Sequence, residues 1–215
     1  MFPWNPQNWL VVSEKTIYEV IVTTQDDQNT NFAPMGVQFE GEGVIIRPFL
    51  DTRTYHLLEK NRECVVNICG DIRPFVVGAL KCGVEGYQPS FANSAKVQAK
   101  RLSSSVAWLE CSVQSIETSN SSSRDSFTLK ILHHGTTGQA ICLSRADTAI
   151  LEAIIHASRL HLCKTLNEEK DLKNRITSYL RLAGRISSAQ HHRAAIAAIT
   201  RKTGLREGEI AASRG

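Results

Sequence analysis

No two cysteines in this chain are spaced C-x-x-C, no stretch is long and apolar enough for a bilayer, and neither charge sign dominates. Each shortage excludes something. The six cysteines (64, 69, 82, 111, 142 and 163) form no Cys/His cluster of zinc spacing, so no metal site is expected from them. Apolar flanks, as in "CVVNIC" and "AICLS", instead predict buried, reduced thiols in a cytoplasmic protein. The longest apolar runs fall well short of the ~18 residues a membrane helix needs, so no membrane association is expected. "MFPWNPQNWLVV" lacks a basic n-region and a small-residue cleavage site, and is not expected to be a secretory signal. There is no fixed-period repeat and no biased tract beyond the serines of "SNSSSR".

What is present is ordinary globular composition: 215 residues, 42% apolar and 21% charged, enough for one large domain or two modest ones. The net charge of +4 is uneven. Residues 1–144 hold 12 basic against 14 acidic side chains, and residues 145–215 hold 13 against 7. The texture changes at the same place. Upstream, strands are expected at 17–24, 33–41, 43–49, 63–70, 105–118 and 125–135, with a turn cluster at 25–31 and Gly41-Glu42-Gly43 as a hairpin. Residues 52–61 and 95–102 read as short helices, and 75–83 fits strand or helix equally. About six closely spaced strands suggest a barrel rather than a parallel sheet. Downstream, Ala146, Ala149, Ile150, Ala153, Ile154, Ala157 and Leu160 recur at helical spacing behind a Ser144/Asp147 capping box. Further helices are expected over 168–183, stopped by Gly184, and over 188–201. The predicted class is α+β: a β-barrel domain over 1–143, a three-helix bundle over 144–203 and a flexible tail over 204–215.

Two stretches carry unusual chemistry. In "VIIRPFLDTRTYHLLEKN" a strand hands over to a helix amid Arg47, Thr52, Arg53 and Thr54. A helix N-terminus presents unpaired N–H groups and the positive end of the macrodipole, and Arg47 adds a planar fork suited to phosphate. The bland alternative is a capped helix with surface charges. Asp51 as N-cap would occupy the same amides, unless Arg53 or Arg47 neutralised it. In "TNFAPMGV", Pro34 cannot donate to a ladder, Gly36 allows close approach to the backbone, and Asn31 offers donor and acceptor. Such an edge could hydrogen-bond a flat heterocycle; the alternative is a bulged edge strand.

Together, N-x-A-P-M-G, a hairpin, R-P-F-x-D-T-x-T-Y and V-V-N-I resemble the flavin reductase-like FMN-binding split barrel. More narrowly, from about residue 14 to 205, the chain resembles the domain-of-unknown-function family 447, including "SRADTAILEAIIHASRL" and a late Thr203-Gly204. The resemblance implies that Asn31, Ala33, Pro34, Met35 and Gly36 line an isoalloxazine ring and that Arg47, Thr52 and Thr54 hold its phosphate. It adds Asn67 of "VVNI" as a recurrent position. Familiar flavin reductases carry a serine and a lysine near the phosphate turn, where Arg47 and Leu50 stand here. The implied cofactor is FMN, with the deazaflavin F420 as alternative. The implied assembly is a homodimer with flavin at the interface, serving a flavin-dependent oxidoreductase with a nicotinamide or other hydride donor. A non-catalytic flavin carrier and an F420- or pterin-linked C1-pathway protein are the alternatives. No catalytic side chain stands out, which suits a cofactor that carries the hydride itself.

Other candidates are weaker. His133-His134 on a strand point to opposite faces, and His191-His192 on a helix splay by about 100°, so neither pair is expected to chelate a metal. Arg145, Glu152 and Arg159, at spacings of seven, share a helix face and form either a buried ion cluster or a wall of the site. Trp4 and Trp9 are open between packing on the barrel and on a partner. The basic C-terminal third could suggest nucleic acid, but its bases are interspersed with acids and stacking aromatics are scarce, so none is expected.

Overall fold

A computed structural model describes residues 18–27, 29–118, 123–137, 145–187, 189–206, 208 and 210. Trp4, Trp9, Cys142 and Ser144 lie outside them. Among the described residues there are two compact units: one from 18–69 with 89–137, the other from 70–88 with the residues from 145 onward.

The first unit is a closed, antiparallel, six-stranded barrel. It is built from β1 (Tyr18–Asp26), β2 (Asn29–Glu40), β3 (Gly43–Ile46), β4 (Glu63–Ile68), β7 (Ala107–Glu117) and β8 (Ser126–Thr136). The strand order is β1-β2-β3-β8-β7-β4, closing back on β1. Two-residue turns join the first hairpins, Asp26 facing Asn29 and Glu40 facing Gly43. Asp27 and Gly41 take the positive φ such turns demand. Alternate residues of each strand fill the interior: Val20, Val22, Val37, Val44, Val66, Leu109 and Phe127 are all buried. Helix α1 (Arg53–Asn61) adds Leu58 to that core, burial worth ~1.5–3 kcal/mol for such a side chain.

A second layer lies on the outer face of β4 and β7, meeting it at Glu63, Asn67 and Glu110. It includes the small hairpin β5 (Phe91–Ala92) and β6 (Arg101–Leu102). The helix expected over 95–102 does not form: residues 95–100 are irregular, and Arg101–Leu102 is strand, for a visible reason. Their amides are taken by strand carboxylates: Ala95 and Lys96 donate to buried Glu110, and Gln98 and Ala99 donate to Glu63. A helix would need those donors for its own carbonyls.

The ambiguous 75–83 segment is helix α2 (Arg73–Leu80), and it belongs to the second unit. With it are α3 (Arg145–Ala157), α4 (Leu166–Ile186) and α5 (Gln190–Thr203). The expected face of α3 is buried from Ala146 to Ala157, against Ile176, Leu180 and Ala183 of α4 and Ala195 and Ile199 of α5. Helix α4 starts earlier than expected, on a Thr165/Glu168 capping box, and runs through Gly184. That glycine ends nothing; a Cβ there would meet Ile196 of α5 at 3.9 Å. Gly204 closes α5 at φ 68°. Among the described residues, no helix is long and apolar enough to cross a membrane.

Candidate functional site

Strand β1 pairs along its whole length with β2, in unbroken register from Tyr18 opposite Val37 to Asp26 opposite Asn29. The other edge of β2 pairs with β3 only over Val37–Glu40. From Asn29 to Gly36 no described strand covers that edge; the alternation of the β1–β2 ladder turns the backbone groups of Thr30, Pro34 and Gly36 toward it and spends those of Asn29, Asn31, Ala33 and Met35 on β1. There is no bulge. The ladder ends because β3 stops at Ile46, where Arg47-Pro48 turns the chain away, and Pro48 could not have donated in any case. Continuing the register by one step sets Arg47 opposite Gly36. The chain then returns through Thr52 into α1, whose Thr54 hydroxyl accepts a hydrogen bond from Asn31 Nδ2 at 3.0 Å. The two stretches singled out by sequence thus border one gap. Val37 and Ile46 pair at one end, and Asn31 and Thr54 join at the other.

The residues differ in what they can still do. Asn31 spends its amide hydrogens on Thr24 Oγ1 (3.1 Å) and Thr54 Oγ1, while its Oδ1 accepts nothing from the described residues. Ala33, Pro34, Met35 and Gly36 are half-buried along the open edge. Met35 packs on the barrel core, whereas Pro34 lies opposite Ile21 and so points outward. Arg47 is exposed, with one guanidinium nitrogen donating to Gln38 Oε1 and the rest of its fork open. Thr52, not Asp51, is the N-cap: it accepts from Tyr55 N and donates to Phe49 O at 2.7 Å. Its hydroxyl proton is therefore spent. Thr54 is 3% exposed, so its contribution to a ligand is its backbone amide. The amides of Arg53 and Thr54 have no described partner, and the first turn of α1 holds no acid. Arg53 pairs with Asp26 at the surface, which neutralises one cation at little gain in stability.

Asn67 is not part of this gap. It is wholly buried, and Nδ2 donates to Ile21 O, Thr23 Oγ1 and Val65 O, while Oδ1 accepts from Leu102 N and Ser105 Oγ at 2.8 and 2.9 Å. A saturated amide has nothing left for a ligand. It locks the outer layer to the barrel.

Three neighbours escaped the sequence reading. Thr24 faces Asn31 in the register, a relation that follows once Asp26 is set opposite Asn29. Gln38 holds Arg47. The Tyr55 hydroxyl, beneath the α1 N-terminus, donates to buried Asp125 Oδ2 at 2.8 Å; that hydrogen bond, with burial, pushes the phenol up to about 12. Only long-range contact identifies these last two. Beside them Phe49 and Leu50 are 41% and 38% exposed, with Arg124 stacked on the Phe49 ring at 3.6 Å. An open groove of about 760 Å³ lies elsewhere in this unit, between Gln25 and Asp27 and the 93–100 segment. Its loop amides already serve Glu63 and Glu110.

Of the helical candidates, Glu152 is half-buried and Arg159 exposed beyond the end of α3, with no ion pair between them. The Arg145 side chain lies outside the described residues. His133 and His134 have ring centroids 6.4 Å apart.

The family described as "Protein of unknown function (DUF447) N-terminal domain" matches residues 18–138, and "Protein of unknown function (DUF447)" matches 144–201. The chain belongs to the DUF447 family. Among solved structures, an FMN-bound DUF447 protein of Methanosarcina mazei matches with a TM-score of 0.70 at 20% identity, over 86% of this chain and 94% of that one. The styrene monooxygenase flavin reductase of Pseudomonas putida S12 matches at 0.47 and 16% identity, over 56% and 80%. An FMN-binding protein of Thermus thermophilus with bound 1-cyclohex-2-enone matches at 0.47 and 14%, over 57% and 72%. No curated protein matches the chain. The six-stranded barrel with its helices is thus the FMN-binding split-barrel fold of this DUF447 member.

Proposed function

We propose that this DUF447 chain binds FMN in the gap between the open edge of β2, Arg47 and the N-terminus of α1, and works as a flavin-dependent oxidoreductase. The observation that carries the reading is the uncovered edge at Asn29–Gly36, meeting a helix whose first turn holds no acid through the Asn31–Thr54 hydrogen bond. The residues present suit such a cofactor. The free amides of Arg53 and Thr54 and the open fork of Arg47 supply donors for a phosphate, reinforced by the helix dipole. The Pro34 carbonyl and the Gly36 N–H, which the register turns away from β1, and the free Oδ1 of Asn31 supply main-chain and amide partners for a ring edge, while Pro34 withholds a donor. The FMN-bound relative in M. mazei favours FMN over F420 as the first ligand to test.

When bound, a flavin accepts or gives hydride at N5, so the chain need supply only orientation and access. Arg47 is exposed and tethered by a single contact, which lets its fork turn toward an anion without unfolding anything. The site faces outward beside exposed Phe49 and Leu50. A second copy of the chain would cover those apolar side chains and wall off the cofactor, and a homodimer with flavin at the interface is therefore part of the proposal.

The test is the visible spectrum of the purified protein with mass spectrometry of the ligand released by heat. A yellow protein releasing FMN, with affinity falling at least about tenfold in Arg47→Ala/Thr52→Ala at unchanged circular dichroism, supports the reading. A colourless protein that ignores added FMN overturns it, and full flavin retention by the double variant overturns the phosphate assignment.

A further inference from the structure

Helix α5 opens with Gln190, His191 and His192. Successive helical side chains diverge by about 100°, so two adjacent imidazoles should point apart. Here their centroids are 4.1 Å apart with planes inclined at 52°. Both converge on Asp147 in the first turn of α3, and ligand-capable atoms of the three residues all lie within 4.8 Å of one another. His192 and Asp147 are 4% and 7% exposed, with Nε2 to Oδ1 at 3.0 Å. On its other side, His192 Nδ1 is 2.6 Å from Ser187 Oγ, which also accepts from Ala189 N.

A hydroxyl has two acceptor lone pairs. Two tautomers fit: in one, Ser187 donates to His192 Nδ1 and Nε2–H donates to Asp147 Oδ1; in the other, Ser187 accepts from both Ala189 N–H and His192 Nδ1–H, and Nε2 turns a lone pair toward the carboxylate 3.0 Å away. In the second, two acceptors at that distance repel unless a proton or a cation lies between them. A proton alone would account for His192 and Asp147 as a clasp between α3 and α5. It leaves unexplained the inward turn of half-buried His191, whose ring nitrogens have no hydrogen-bond partner among the described residues.

We propose that Asp147, His191 and His192 form a binding site for a divalent transition metal, zinc being the ion that two imidazoles and one carboxylate suit well. Imidazole–carboxylate sets favour such ions over magnesium or calcium, and three protein ligands leave a fourth position for water or an exogenous ligand. Ser187 is the positioning residue that orients the ring and sets its tautomer, as hydrogen-bonded partners of metal-bound histidines do. The site is independent of the flavin reading.

The experiment uses the full chain, stripped with chelator, dialysed, and titrated with Zn²⁺ by calorimetry and with Co²⁺ by visible absorption. The expected result is one equivalent of Zn²⁺ that raises Tm, and intense d–d bands from Co²⁺. His191→Ala should weaken binding at least about 100-fold and abolish the Tm rise while leaving the metal-free Tm unchanged; Ser187→Ala should weaken it roughly tenfold. His191→Gln, which keeps the bulk, serves as a second variant and should lose the metal equally. Zinc binding in either His191 variant equal to wild type, or no stoichiometric binding by wild type, would overturn the proposal.

Discussion

Two asparagines mark two sides of one barrel. Asn67 sits where β1, β4 and β7 meet the outer layer, with every polar atom engaged and no exposure. Asn31 sits at the far end of the gap from the Val37–Ile46 pair, its amide hydrogens spent on Thr24 and Thr54 and its carbonyl oxygen open. Both were flagged by the same family resemblance, and their surroundings give them opposite tasks. A saturated buried amide rigidifies the fold. A half-satisfied one at an uncovered strand edge is capacity held for something else. The sealed side makes the open side dependable, because β1 is fixed by β4 along one edge and presents β2 along the other.

Substitutions should separate these tasks. Asn67→Leu strands the Leu102 amide and Ser105 hydroxyl without their acceptor, at a cost of about 3–5 kcal/mol read as a large fall in Tm. Flavin content per folded molecule should not change; a variant that melts normally yet loses flavin would erase the contrast. Next is Gly135→Ala, on the same face. Gly135 lies opposite Trp108, and a Cβ would stand 2.2 Å from the indole Cζ2, beneath Arg101 stacked at 4.0 Å. About 2–3 kcal/mol should be lost as the ring is forced out, which denaturant titration would detect. On the open side the order of effects reverses. Asn31→Ala should cost only about 1 kcal/mol yet weaken FMN binding by roughly tenfold, measured by fluorescence titration. If it destabilises the fold as much as Asn67→Leu, the open edge is structural after all.

Much of this was legible in the chain itself. The six strands and the barrel are readable there, but the gap is not: the strand expected over 43–49 stops at Ile46, and its neighbour, expected from 33, begins at Asn29. Local reading failed where a distant partner decided the outcome. Residues 95–102 carry helical composition, but Glu63 and Glu110 claim their amides across the sheet. Gly184 looks like a stop, but packing beside α5 carries the helix past it. The Ser144/Asp147 cap falls partly outside the described residues, and Asp147 also meets His192, 45 residues away, which no local spacing shows. At the site, residue type indicated which positions matter, and only the register showed which atoms are already spent: the Thr52 proton, the Thr54 hydroxyl and the whole of Asn67.

The smallest effect lies between the two sides. Tyr55 ties α1 to buried Asp125, and its phenol is pushed up from 10.0 to about 12. A raised folded-state value means that the hydrogen bond contributes its full stability below pH ~10 and loses it as pH climbs through about 12. Spectrophotometric titration should therefore find one of the four tyrosines ionising late, and Tyr55→Phe should remove that late step. The variant should also flatten the fall in Tm above pH ~10, because the group that loses its proton there is gone. Tyr55 N donates to Thr52 and Thr54 binds Asn31, so the same helix turn that senses Asp125 frames the open edge. Flavin affinity should stay level across that titration in wild type until the tyrosine ionises. An affinity that falls earlier would trace the loss to a different group and separate the turn's anchoring from its binding role.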